Sequence, residues 1–132
     1  MQTVLRITRH PADADRMAFL KAIYGNDTNI VTKDIPYGDD PIAAVRSLIE
    51  RTESEGNKVV ALEAQAPFSV LMKLVDRRHD LGVAFIRAQF ERDSSGRAVV
   101  VGKDKGERDL LKFSHYEELE KIEFQTHRLE PR

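Results

Sequence analysis

Cysteine is absent from the 132 residues, which excludes disulfide frameworks, thiolate metal sites and cysteine nucleophiles and fits a cytoplasmic setting. No apolar run approaches membrane-spanning length, and residues 1–8 pass straight into alternating apolar positions without a basic-then-apolar leader, so neither a membrane nor export is expected. An excess of either charge is missing too. The net charge is −1 and the pI about 6.4, which argues against a broad basic surface for long duplex nucleic acid. A small or cyclic nucleotide needs only a few local cations and stays open. There is no Gly-x-Gly-x-x-Gly and no Walker sequence, so a dinucleotide or a nucleoside triphosphate held in the usual manner is not expected. His79, His115 and His127 are scattered, with no H-x-x-x-H spacing and no carboxylate cluster, so no metal and no cofactor is expected.

What is present describes one folded domain over residues 1–132. An apolar share of 41% beside a charged share of 33% suits a globular chain with a solvated surface, long enough to bury a continuous core. Residues 3–8 carry Val4, Leu5 and Ile7 as a buried strand, which Pro11 stops. Asp13 and Asp15 open a helix with Met17, Leu20 and Tyr24 on one face, and Gly25 closes it. A strand over 29–35 and a turn over 36–41 follow, with Asp40 as the N-cap and Pro41 as the first residue of a helix whose buried stripe is Ile42, Val45 and Ile49. Val59, Val60, Ala61 and Leu62 read as a strand covered on both faces. Pro67 restarts a helix through Val70, Leu71, Leu74 and Val75, Gly82 ends it, and a strand spans 83–89. With right-handed crossovers, this order predicts a three-layer, Rossmann-like α/β fold over residues 1–90, a mostly parallel sheet with helices on both faces.

Beyond Phe90 the pattern becomes a C-terminal antiparallel extension over residues 91–132. It comprises a hairpin turn at 93–96, a charged loop at 102–109 and a half-exposed edge strand over 122–128, where Ile122, Phe124 and Thr126 alternate with Glu123, Gln125 and His127. Residues 110–120 fit two readings. Ser114 and Glu117 have the spacing of a helix capping box, whereas Phe113 and Tyr116 equally suit a short strand.

Open parallel sheets gather ligands beyond the carboxyl ends of their strands, where strand order reverses beside the first strand. That rule nominates Thr8, Arg9 and His10 after the first strand, Tyr37 and Asp39 after the second, Gln65, Phe68 and Ser69 after the third, and Gln89, Glu91 and Arg92 after the fourth. Helix N-termini open at the same edge and favour anions. Thr8, Arg9 and His10 bring a hydroxyl, a fixed cation and a titratable imidazole to a place where a phosphate would be held. The plainer alternative pairs Arg9 with a surface carboxylate and leaves His10 as a strand end. Gln65 and Ser69 could donate to a phosphate or ribose, although Ser69 equally suits a backbone bond in the first helical turn. Asp39 and Asp40 are accounted for as a turn residue and an N-cap. Lys103, Lys105 and Arg108 alternate with Asp104, Glu107 and Asp109, a solvated loop by charge balance, with a lid over the sheet edge as the alternative.

The segment Ile7-Thr8-Arg9-His10-Pro11, on a chain of this size and element order, resembles the small Rossmann-like CRISPR-associated ring nucleases, in which a strand ends in a Ser- or Thr-containing His-Pro segment. The likeness covers roughly the first two-thirds of the chain. It implies a homodimer of antiviral defence that binds a cyclic oligoadenylate across its two-fold axis and cuts it without metal, positioning and charge stabilisation supplying most of the rate. Under it, Thr8 and Ser69 orient phosphate oxygens, Arg9 offsets developing charge and His10 moves a proton, making Arg9 and His10 the catalytic pair. The antiparallel part after Phe90 lies outside the likeness. The same residues are also similar to the Arg-His-Gly segment of histidine phosphatases. Pro11, however, stands where that family has glycine and removes a backbone donor from the phosphate. A third reading is a non-catalytic module that captures a nucleotide or docks on a partner through its C-terminal edge strand.

Overall fold

Short apolar runs bounded by proline and glycine alternate with helical stripes, and the chain folds accordingly. The computed structural model describes residues 1–103, 106–123 and 125–131. Its elements are β1 (Gln2–Ile7), α1 (Ala14–Tyr24), β2 (Asn29–Lys33), α2 (Pro41–Ser54), β3 (Lys58–Ala64), α3 (Phe68–Asp76), α4 (Arg78–Leu81), β4 (Ala84–Phe90), β5 (Val100–Lys103), β6 (Asp109–Leu111) and β7 (Phe113–Glu118). The main sheet runs β2-β1-β3-β4-β7. Its first four strands are parallel and β7 is antiparallel to β4, while β5 and β6 form a separate antiparallel pair. The chain steps outward from β1 to β2 and then passes back over β1 to β3, so the strand order reverses between β1 and β3.

Local chemistry sets the helix ends. The Asp13 carboxylate accepts from the Arg16 amide at 2.8 Å, and Asp40 accepts from the Ala43 amide at 3.1 Å just ahead of Pro41. Gly82 takes a left-handed conformation (φ 72°) after α4, where a β-carbon would be strained.

Successive residues of β1 enter different apolar clusters, as the pleat of a strand requires. Leu5 and Ile7 pack with Val45, Leu48 and Ile49 of α2 and with Leu71, Leu74 and Val75 of α3. Val4 packs with Leu20 of α1, Ala61, Ile86 and Tyr116. Each such fully buried side chain contributes about 1.5–3 kcal/mol relative to exposure, which makes these clusters the main source of cohesion.

The C-terminal part departs from expectation in one respect. Among the described residues, 122–128 form no strand, and Phe124 lies outside the described residues. The place beside β4 belongs to β7 instead. A register shift puts Phe90 opposite Phe113 and Gln89 opposite His115, so Ser114 is an extra residue and Phe113 and Tyr116 reach the same face. Their rings lie 5.3 Å apart, with Phe19 of α1 at 5.9 and 6.0 Å. Residues 113–118 therefore take the strand alternative, with the bulge letting Phe113 and Tyr116 share a face, and Ser114 and Glu117 cap no helix. The free edge of β4 accepts one strand, and this aromatic cluster buries more there than Ile122, which packs half-buried at the margin of the other cluster.

The expected hairpin turn is present. The Gly96 amide donates to the Asp93 carbonyl at 3.0 Å. The Asp93 carboxylate accepts from the Ser95 hydroxyl and from the amides of Arg97 and Ser95, which hold its carboxyl below the usual range. Among the described residues, no helix is long and apolar enough to cross a membrane.

Candidate functional site

The ladders of β1 continue one residue past the strand on both sides. The Thr8 amide donates to the Lys33 carbonyl at 3.0 Å and the Gln65 amide to the Ile7 carbonyl at 3.0 Å, which pins the exits of β1, β2 and β3 side by side. The Thr8 hydroxyl donates to Gln65 Oε1 at 2.5 Å and accepts from the His10 amide at 3.2 Å, curling residues 8–10 into a tight turn. Its single proton is committed to Gln65. Thr8 thus fixes the orientation of the Gln65 side chain, whose amide oxygen it engages and whose N–H groups it leaves unengaged. From the β2 side, Tyr37 Oη donates to the Gln65 carbonyl at 3.3 Å.

These groups enclose a cavity of about 270 Å³. Thr8, Arg9 and His10 form one wall, and Asp34, Ile35 and Tyr37 form another. Ile7, Gln65 and Arg108 complete it. Arg9 and Arg108 bring two guanidinium groups to the wall, and Asp34 brings a carboxylate. Arg9 and His10 are exposed. Among the described residues no carboxylate lies within ion-pair distance of Arg9, which leaves its guanidinium open to a ligand. Burial, and after it the charge of Asp34, push the Tyr37 phenol up to about 12, so it remains a neutral donor at physiological pH.

Of the residues nominated by strand position, the fold brings together Thr8, Arg9, His10, Tyr37 and Gln65. The others do not line this cavity. Phe68 opens α3 half-exposed, its ring 5.2 Å from the Arg87 guanidinium, with Ser69 exposed beside it. Gln89 sits within β4 opposite His115. Arg92 bridges to Ala98 and donates to the Gly96 carbonyl at 3.4 Å, while Glu91 pairs with Lys112. Asp39 is exposed in its turn and Asp40 caps α2. Gln89, Glu91 and Arg92 fall outside the cavity because β4 pairs with β7 and runs on into the hairpin. His115 bonds Ser114 and Glu117, away from the cavity. In the charged loop, Asp104 and Lys105 lie outside the described residues, whereas Arg108 stands in the cavity wall and Lys103 pairs with Asp109 at 3.6 Å.

Sequence reasoning missed Asp34 and, beneath the site, Arg6, Glu63 and Tyr116. A signal for Arg6 existed. It is a lone cation within the apolar run Val4-Leu5-Arg6-Ile7, and a charge inside a buried strand demands a partner. Glu63 supplies it at 2.9 Å. Comparison of the chain with protein-family models, curated proteins and solved structures finds no match.

Proposed function

We propose that this chain binds a phosphorylated nucleotide at the carboxyl ends of β1 and β3, and that the ligand is a cyclic oligoadenylate cut without metal. The observation that carries the reading is the cavity where strand order reverses, with Arg9, His10 and Gln65 in its wall. The reading takes the fold as three-layered and Rossmann-like, which the separate packing of α1 and of α2 with α3 on the two apolar clusters supports. A cavity of about 270 Å³ lies just under the range of about 300–1,000 Å³ for drug-sized ligands, so it suits one nucleotide unit. A whole ring then requires two copies, that is, a homodimer. The exposed apolar side chains of Val100, Val101, Leu110 and Leu111 on β5 and β6 support such self-association.

In the proposed cleavage the ribose 2′-oxygen forms a bond to the adjacent phosphorus, the bond from phosphorus to the 5′-oxygen breaks, and a cyclic 2′,3′-phosphate results. The proton leaves the 2′-hydroxyl and another reaches the 5′-oxygen. His10 is the proton-transfer group, Arg9 and Arg108 offset charge on the phosphoryl oxygens, and Gln65, aimed by Thr8, holds the phosphate or ribose.

The test incubates the protein with cyclic tetra- and hexa-adenylate and, separately, with a generic phosphomonoester. Linear products support cleavage, free phosphate from the monoester supports the phosphatase reading, and binding without turnover supports a capture module. Neither binding nor turnover would reject the proposal. His10→Ala is expected to lower turnover with little change in melting temperature, and Arg9→Ala to weaken binding.

A further inference from the structure

One polar row crosses the sheet just beneath the site. The register sets Thr32, Arg6 and Glu63 side by side on β2, β1 and β3. Arg6 is only 4% exposed. Its Nε donates to Glu63 Oε1 at 2.9 Å, and its Nη1 donates to Thr32 Oγ1 at 3.1 Å and to the His10 carbonyl at 2.9 Å. Tyr116 Oη reaches over from β7 to donate to the same Glu63 oxygen at 2.6 Å.

Taking an ion pair out of water is repaid poorly, and a well-packed apolar pair of equal volume often holds a sheet as well or better. An apolar pair could not reach past the strand end to bond the His10 carbonyl. The planar guanidinium does both at once, because its donors diverge in a fixed fork. We infer that Arg6 is a positioning residue that fixes the backbone after β1, so that Arg9 and His10 face the cavity, and that β7 acts on the site through Tyr116 and Glu63. The inference rests on the reading of that cavity as the ligand site. It gives the segment after Phe90 two approaches to the cavity, through Arg108 in its wall and Tyr116 from below.

The test compares Arg6→Lys with the wild-type chain. Lysine keeps a cation beside Glu63 but lacks the fork, so the melting temperature is expected to stay within about 5 °C. Amide hydrogen exchange at Arg9 and His10 is expected to rise about ten-fold while exchange in β1 and β3 stays unchanged. Affinity for AMP and for cyclic tetra-adenylate is expected to fall about five-fold, and this loss should vanish once Arg9→Ala is also present. Tyr116→Phe, which removes only a hydroxyl, should move the same amides about two-fold and serves if the lysine variant does not fold. Unchanged exchange at residues 9 and 10, or a rise spread evenly over the sheet, would overturn the inference whether or not a nucleotide binds. Raised exchange confined to residues 9 and 10, in a protein whose wild-type form binds neither nucleotide, would reject the ligand site and leave the positioning intact.

Discussion

The parallel strands and the segment after Phe90 are held by different means. Val4, Leu5, Val59, Leu62 and Phe85 on the parallel strands are wholly buried, whereas β5 and β6 leave Val100 and Val101 at 49% and 61% exposure. Of the later segment, β7 joins the sheet, through the aromatic cluster with Phe19 and the contact of Tyr116 with Glu63. A strand buried on both faces is secured by burial itself, while one added at an edge depends on a few specific contacts. One of them, the Tyr116 bond to Glu63, connects through Arg6 to the His10 carbonyl at the candidate site.

Substitutions should sharpen this contrast, in urea unfolding. Phe85→Ala empties the centre of the parallel half and should cost about 4 kcal/mol. Glu63→Ala strands the Arg6 guanidinium without its anion and should cost about 3 kcal/mol. Tyr116→Phe removes one hydrogen bond and should cost about 1 kcal/mol. Leu110→Ala, on the exposed pair of strands, should stay within about 0.5 kcal/mol. Equal losses for Phe85→Ala and Leu110→Ala would erase the distinction between the two regions.

Alkaline pH offers a subtler probe of the same contrast. Burial raises the phenol of Tyr37 from its usual 10.0 to about 12. The Tyr116 phenol is raised too, first by burial and then by the charge of Glu63. A group whose pKa is higher folded than unfolded stabilises fully below its unfolded value and loses that contribution as pH climbs through the folded one. Stability should therefore fall above about pH 10, with a shallower fall in Tyr37→Phe and in Tyr116→Phe, read from melting temperatures across that range.

Much of the parallel half was legible in the sequence because its signals are local. Proline and aspartate mark the start of α2, and the unbroken run of Val59, Val60, Ala61 and Leu62 marks a strand covered on both faces. The end of β1 was legible for the same reason, through Pro11. The edge strand was misplaced to 122–128 because its true signal is not period two. A bulge at Ser114 aligns residues three apart, and only the partner strand reveals it. The row of Thr32, Arg6, Glu63 and Tyr116 joins four strands far apart in the chain, so no local window contains it. Phe68, Ser69, Gln89 and Arg92 were nominated by strand order alone, which says which edge a residue reaches but not how far along that edge it sits.

The most direct test of the ligand site is amide chemical-shift mapping by NMR as cyclic tetra-adenylate is added. Shifts centred on residues 7–10, 34, 35, 37, 65 and 108 are the expected result. Binding that leaves these amides unmoved and perturbs another surface would contradict the account.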